Sequence, residues 1–165
     1  MSATESLACE VRLQDAAPFG ARAQAIIAAP PERVWQLLTS FERYPEKVPM
    51  IHAATVDGDR LTLALRFRMA IFSTTFEFTA RVAREEGHRL TLSWIEGLPR
   101  EIHVGFDLAP AGAGTLLICD LRYDIKSLGW VVKYFLKHHP EMALGSYAGT
   151  ALVLVDAVRR AAESG

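Results

Sequence analysis

The strongest constraint on the fold is a change of period along the chain. From Ile51 onward apolar residues return at every second position. Leu61, Leu63, Leu65, Phe67 and Met69 alternate with Thr62, Arg66 and Arg68. Phe76, Phe78 and Val82 alternate with Glu77, Thr79 and Arg81, and Leu90, Leu92 and Trp94 with Thr91 and Ser93. Ile102, Val104, Phe106 and Leu108, then Leu117, Cys119, Leu121 and Tyr123, repeat the pattern. Successive side chains of a strand point to opposite faces. The alternation therefore predicts about six consecutive antiparallel strands with one buried face. Asp57-Gly58-Asp59, Glu86-Gly87, Gly97 to Pro99 and Gly112 to Gly114 supply the turns. Arg66, Arg68, Arg81, His103, Asp120, Arg122 and Asp124 fall on the opposite row, where cross-strand charge pairs on a solvent face are expected.

On both sides of these runs the pattern differs. Residues 1–20 read as a leader, with a short strand over Cys9–Leu13, and Ala21–Ala28 reads as a strand ended by Pro30-Pro31. Pro31 and Glu32 suit the first turn of a helix, and Val34, Leu37 and Leu38 follow at helical spacing. Phe41–Tyr44 is expected to add a second helical turn. After Lys126, Leu128–His138 reads as an apolar helix and Glu141–Glu163 as one long helix. Leu144, Ala148, Ala151, Leu152, Val155, Val158 and Ala162 are assigned to its buried face. The fold class is α+β: a strand, two short helices, a six-stranded meander and a helix long enough to cover it. One helix cannot fill a curved sheet completely, so a cavity between them is expected.

Composition narrows the partners. The 165 residues carry 18 basic and 19 acidic side chains, a net charge of −1, which gives no basic excess for nucleic acid. Two cysteines, Cys9 and Cys119, are too few for a disulfide framework or a zinc knuckle. Met1–Glu10 shows no secretory pattern, and no run reaches the roughly 18 apolar residues of a membrane span. A cytoplasmic location is the expectation. His138-His139-Pro140-Glu141 is the only sequence cluster suggesting metal, and its adjacent histidines point to different sides of a helix. No metal and no cofactor is expected.

The segment Ile26-Ile27-Ala28-Ala29-Pro30-Pro31-Glu32-Arg33-Val34-Trp35 resembles an opening strand followed by A-P-x-x-V-W. Phe41-Glu42-Arg43-Tyr44-Pro45-Glu46-Lys47-Val48-Pro49 is similar to a Y-P-x-F-x-P segment, with Lys47 in place of the usual aromatic and Met50 where a Trp often follows. Together with the order of elements, these resemble the helix-grip fold of the START/Bet v 1-like (SRPBCC) superfamily, in its polyketide cyclase/dehydrase or coenzyme Q-binding branch. The resemblance covers residues 21–163 as a single ligand-binding domain. It implies a polyketide-like, isoprenoid-quinone or lipid ligand. The superfamily contains binding proteins, transfer proteins, cyclases and hydrolases, so the fold alone does not choose among them.

By parity the pocket would be lined by Leu65, Phe67, Phe76, Phe78, Trp94, Phe106, Tyr123, Met142 and Tyr147. Gly145 and Gly149, with Ala148 and Ala151, would either make room between helix and sheet or let the backbone pack closely. Two polar residues are catalytic candidates for a cyclase or aromatase acting on a poly-ketone. Glu96 shares parity with Leu92 and Trp94, so it points inward if the strand runs that far and lies at the turn before Gly97 if it does not. A buried carboxyl would have a raised pKa suited to acid–base work. Tyr123 could donate to a carbonyl or simply be a core tyrosine. The Leu128–Leu136 segment, with Lys133 and Lys137 beside it, is more apolar than one helix face needs. It reads as a cover for the sheet, a lid, a protein-interaction surface, or a transient contact with a membrane or carrier protein.

Overall fold

The architecture comes from a computed structural model, which describes residues 7–69 and 72–164 and only the backbone of residues 67–69 and 72. Eight strands form one antiparallel sheet: β1 (Ala8–Gln14), β2 (Ala17–Ile27), β3 (Ile51–Asp57), β4 (Arg60–Met69), β5 (Phe72–Glu85), β6 (Arg89–Gly97), β7 (Arg100–Ala111) and β8 (Gly114–Asp124). Their spatial order is β1-β2-β8-β7-β6-β5-β4-β3. The six-stranded meander is therefore β3 to β8, and β2 closes beside β8.

Residues 8–20, read from the sequence as part of a leader, lie within the sheet. They build β1 and the start of β2, and Cys9–Leu13 lies inside β1. The turn between these strands uses Asp15 and Ala16, both at positive φ (51° and 64°). This is the sense of turn that matches strand twist, made here without the usual glycine. Pro18 is tolerated in β2 because the ladder shifts register beside it, between Arg12 and Leu13.

Between β2 and β3 lie α1 (Pro31–Thr39), a 3-10 turn (Phe41–Arg43) and α2 (Tyr44–Lys47). Pro31 sits at the first turn of α1, and Val34, Trp35 and Leu38 are its buried side. The expected Leu128–His138 helix is a 3-10 turn (Ile125–Leu128) and α3 (Trp130–His138). Gly129, at φ 113°, separates the two, a conformation that favours glycine.

The long helix α4 runs from Glu141 to Glu163, as the sequence predicts. Ala151, Val155 and Ala162 are buried as assigned and Ala148, Leu152 and Val158 are half-buried, but in the first turns the buried residues are Ala143 and Tyr147, and Leu144 is 42% exposed. By length and composition α4 could cross a membrane. In the fold it is the helix the sheet grips. It packs chiefly on β2, less on β8 and β1. The reason is size: Ala21, Ala23 and Ala25 on β2 are fully or nearly buried and allow close approach. The helix leans to that edge, and space remains under β4 to β7.

On the outer face, Arg22 and Asp120, register partners across β2 and β8, form a two-bond pair at 3.0 Å, which Arg12 joins at 3.1 Å. Arg89 and Asp107 pair across β6 and β7 at 2.6 Å.

Candidate functional site

The space left by the leaning helix is a small apolar chamber of about 50 Å³. Leu63 and Leu65 of β4, Phe78 of β5, Leu92 of β6, Ile102, Val104 and Phe106 of β7 and Leu121 of β8 form its sheet wall. Thr150 and Leu154 of α4 form the other wall, and Tyr44, Met50 and Ile51 close one end. Beside it, under α3, lies a second apolar pocket of about 250 Å³. Phe76, Ile125, Leu128, Trp130, Val132 and Ser146 line it. The two spaces are neighbours on both walls. Phe76 and Phe78 are successive inward positions of one strand, and Ser146 and Thr150 are one helical turn apart, about 6 Å along the axis.

The polar groups here are hydroxyls. Tyr123 Oη and Ser146 Oγ are 2.5 Å apart, and Thr150 Oγ1 donates to the Ser146 carbonyl at 2.7 Å. Tyr147 Oη donates to the Tyr123 carbonyl at 2.8 Å, and the two rings are 4.7 Å apart. Burial raises the Tyr123 pKa, with its hydroxyl partners Ser146 and Thr150 pulling the other way. Tyr147 is pushed up to about 12, again mainly by burial. Tyr44, whose hydroxyl donates to the Leu38 carbonyl, is raised for the same reason. These phenols are neutral at any working pH. They are hydrogen-bond donors and not bases. Among the described residues, no carboxylate or histidine lines either apolar space. Among the described residues no group of three or more His, Cys, Asp or Glu could hold a metal.

The model of a family described as polyketide cyclase / dehydrase and lipid transport matches residues 27–144. The chain belongs to this family. Solved structures agree in fold. TTHA0849 from Thermus thermophilus is 17% identical with a TM-score of 0.65, over 87% of this chain and 96% of that one. A START superfamily protein from Mycobacterium smegmatis is 19% identical with a TM-score of 0.58, over 78% of this chain and 96% of that one. The Zhui aromatase/cyclase from Streptomyces sp. R1128 is 16% identical with a TM-score of 0.53, over 87% and 96%. No curated protein sequence matches the chain.

Within this polyketide cyclase/dehydrase domain the residues expected at the pocket separate into groups. Leu65, Phe78 and Phe106 line the chamber, and Phe76 lines the pocket under α3. Tyr123 and Tyr147 are buried and line instead a wide groove of about 750 Å³ with Phe19, Trp94, His103 and Arg122; the groove shares Ile125 with the pocket under α3. Met142 is half-buried and lines neither apolar space. The Phe67 side chain lies outside the described residues. Gly145 and Gly149 do not pack closely, since a Cβ at either would meet nothing within 4 Å, and neither lines the chamber.

Glu96 is a correction. The strand does run that far, but a bulge reverses the parity. Ala80 pairs with Trp94 while Thr79 pairs with Glu96, so Ile95 is extra and Glu96 joins the outer row. It is exposed. The same bulge leaves Trp94 37% exposed, its Nε1 donating to the Gly97 carbonyl at 3.1 Å. The β6–β7 ladder ends at Ser93 and His103, and the groove opens where the strands part.

Ser146, Thr150 and Tyr44 were not picked out from the sequence. The first two were legible in principle. With Met142 and Leu154 they repeat every fourth residue on α4, one position away from the buried row.

Proposed function

We propose that this chain binds a hydrophobic, polyketide-like small molecule between the sheet and α4, reached from under α3. The observation that carries the reading is a small apolar chamber beside a second apolar pocket, with the Ser146 and Thr150 hydroxyls along their shared helix wall and the Tyr123 hydroxyl of β8 2.5 Å from Ser146. An apolar lining with a few placed polar groups is what orients a hydrophobic ligand. Both cysteines are free, which suits a cytoplasmic setting. Native mass spectrometry of the purified protein, followed by denaturing extraction, tests it. A co-purifying aromatic polyketide, quinone or lipid supports the reading. Failure to carry or take up any of these from a supplied panel overturns it.

One observation favours a cyclase as a second reading: neutral phenol and hydroxyl donors next to an apolar space. In an aldol closure the enol carbon bonds to the ketone carbon; the enol gives up its hydroxyl proton as its own carbonyl re-forms, and the acceptor ketone's C=O opens to a hydroxyl that takes up a proton. A donor at that oxygen stabilises the developing charge, and a shaped wall holds the chain in a near-attack conformer. Among the described residues no base lines either space, and in this reading the substrate enolises with water or by its own acidity. Cyclisation of a linear poly-ketone faster than in buffer is the test.

Exposed aromatics on α3 bear on partners. Trp130 is 79% and Tyr134 57% exposed, beside Lys133 and Lys137. We place the transient contact with a membrane or carrier protein here, at the mouth of the pocket that Trp130 itself lines.

A further inference from the structure

The opposite end of α4 carries a different kind of site. Between α1, α2 and the last turns of α4 lies a cleft of about 710 Å³. Arg33, Arg43, Lys47 and Arg160 line it against one carboxylate, Glu46. In a chain of net charge −1 this is a local concentration of positive charge.

Two of the cations, Arg33 and Arg160, are anchored, and the group is poorly neutralised. Arg33 donates from Nε to the Ala162 carbonyl at 2.7 Å and from Nη2 to the Ala161 carbonyl at 3.3 Å. It thus covers the negative end of the α4 dipole. Among the described residues neither Arg33 nor Lys47 forms an ion pair. Arg160 is fixed by Asp156 at 2.7 Å, but Asp156 is shared with Arg159 at 2.6 Å. Arg43 meets Glu46 only at 3.7 Å, with both side chains well exposed. The Lys47 ammonium is held below its ordinary pKa by burial first and by Arg43 next; Arg33 acts in the same direction, and Glu46 opposes them. Lys47 therefore sits in an excess of positive charge. It is also the position where the sequence departs from the aromatic of the related motif.

We propose that this cleft binds a phosphate-bearing ligand carrying two or more negative charges. Planar guanidiniums match phosphate oxygens with paired donors, and a lysine adds a point charge. The Gln36 side chain supplies neutral donors at the same wall. Ser146 under α3 and Arg160 in this cleft are 14 residues apart on one helix, roughly 21 Å along its axis, so both sites can be filled together. The inference does not depend on what the apolar chamber holds.

Isothermal titration with inorganic pyrophosphate at low ionic strength is the first arm, and sedimentation with phosphatidylcholine vesicles containing phosphatidic acid is the second. Lys47→Glu and Arg43→Glu are the test variants, because Arg33 caps a helix and its loss would confound folding. Circular dichroism and Tm verify that each variant is folded. The expected result is saturable pyrophosphate binding, weakened about tenfold or more by each reversal and by added salt. Binding to the phosphatidate vesicles alone, lost in the same variants, identifies the phosphate as a lipid headgroup and also supports the site. Binding of neither probe, or binding that both reversals leave unchanged, overturns it.

Discussion

Tyr123→Phe separates holding a ligand from acting on it. The ring stays, so no cavity opens. What is lost is the hydroxyl 2.5 Å from Ser146 Oγ. A neutral hydrogen bond contributes about 0.5–1.5 kcal/mol net. Ser146 is half-buried and keeps access to other partners, so the lower half of that range is expected for the cost of orphaning it. A loss of about 1 kcal/mol in a domain of 165 residues lowers Tm by about 2–4 °C. Ser146→Ala should cost about the same, and the double variant little more than either single, because both remove one bond. Urea midpoints give the cycle. Additive single effects would refute the pairing. For function the same variant divides the two readings. If Tyr123 only orients ligand, Kd rises about fivefold, the equivalent of one bond. If it polarises a ketone in a closing chain, kcat falls about 10²–10³-fold. A kcat within threefold of the parent, in a variant that still turns over, would remove Tyr123 from the chemistry.

Gly145→Ala and Gly149→Ala should each stabilise by about 0.5–1 kcal/mol, since both sit inside α4 and a Cβ would meet nothing within 4 Å; a drop in Tm at either would show that the space is needed. Gly97→Ala should cost about 3 kcal/mol or more, because φ is +91° and the new Cβ would lie 2.2 Å from the Glu77 carbonyl oxygen. Gly129→Ala, at φ +113° but in open space, should cost only about 1–2 kcal/mol, and equal losses in the two variants would contradict this account. Stability should be level from neutral pH to about pH 9 and fall above it. Tyr44, Tyr123, Tyr147 and Cys119 all have pKa values raised by burial, Tyr147 to about 12. The folded state therefore keeps protons that the unfolded state releases near pH 9–10, and rising pH favours unfolding through that window. Urea midpoints from pH 7 to 11 test this, and an unchanged midpoint at pH 11 would refute it.

The parts that were legible in the sequence were those governed by an unbroken period. β4 to β8 and α4 follow from alternation and from helical spacing, and the motif around Pro30-Pro31 places α1. The errors occur where one backbone irregularity resets the count. One extra residue at Ile95 moved Glu96 to the outer row and left Trp94 at a groove. The β1–β2 hairpin was hidden by a turn built from Asp15 and Ala16, residues that seldom take positive φ, and by Pro18 within a strand. On α4 only the N-terminal part of the face was misjudged, because Leu144 carries more apolar weight than Ala143, while Ala21, Ala23 and Ala25 of the neighbouring β2 leave room for close approach. Ser146 and Thr150 went unremarked because hydroxyl residues on a helix carry no period of their own, and only the position of the sheet gives them a role.

Size bears on how any ligand is accommodated. Sites for drug-sized molecules run to about 300–1,000 Å³. The chamber has about 50 Å³ and the pocket under α3 about 250 Å³. A ligand with several fused rings must therefore occupy both, and the groups between them must give way. Those groups are Phe76, at the border on β5, and the Tyr123–Ser146 hydroxyl pair, whose serine lines the outer pocket. The displacement costs little. Turning one half-buried phenylalanine and exchanging one neutral hydrogen bond is about 1 kcal/mol of lost contact, against about 25 cal/mol gained for each Å² of apolar ligand surface removed from water. About 40 Å² of burial offsets it, a fraction of one aromatic ring system. The exchange also has a chemical result. Under the cyclase reading, a ketone that took the place of Ser146 at the Tyr123 hydroxyl would meet a buried, neutral phenol able to donate to its oxygen.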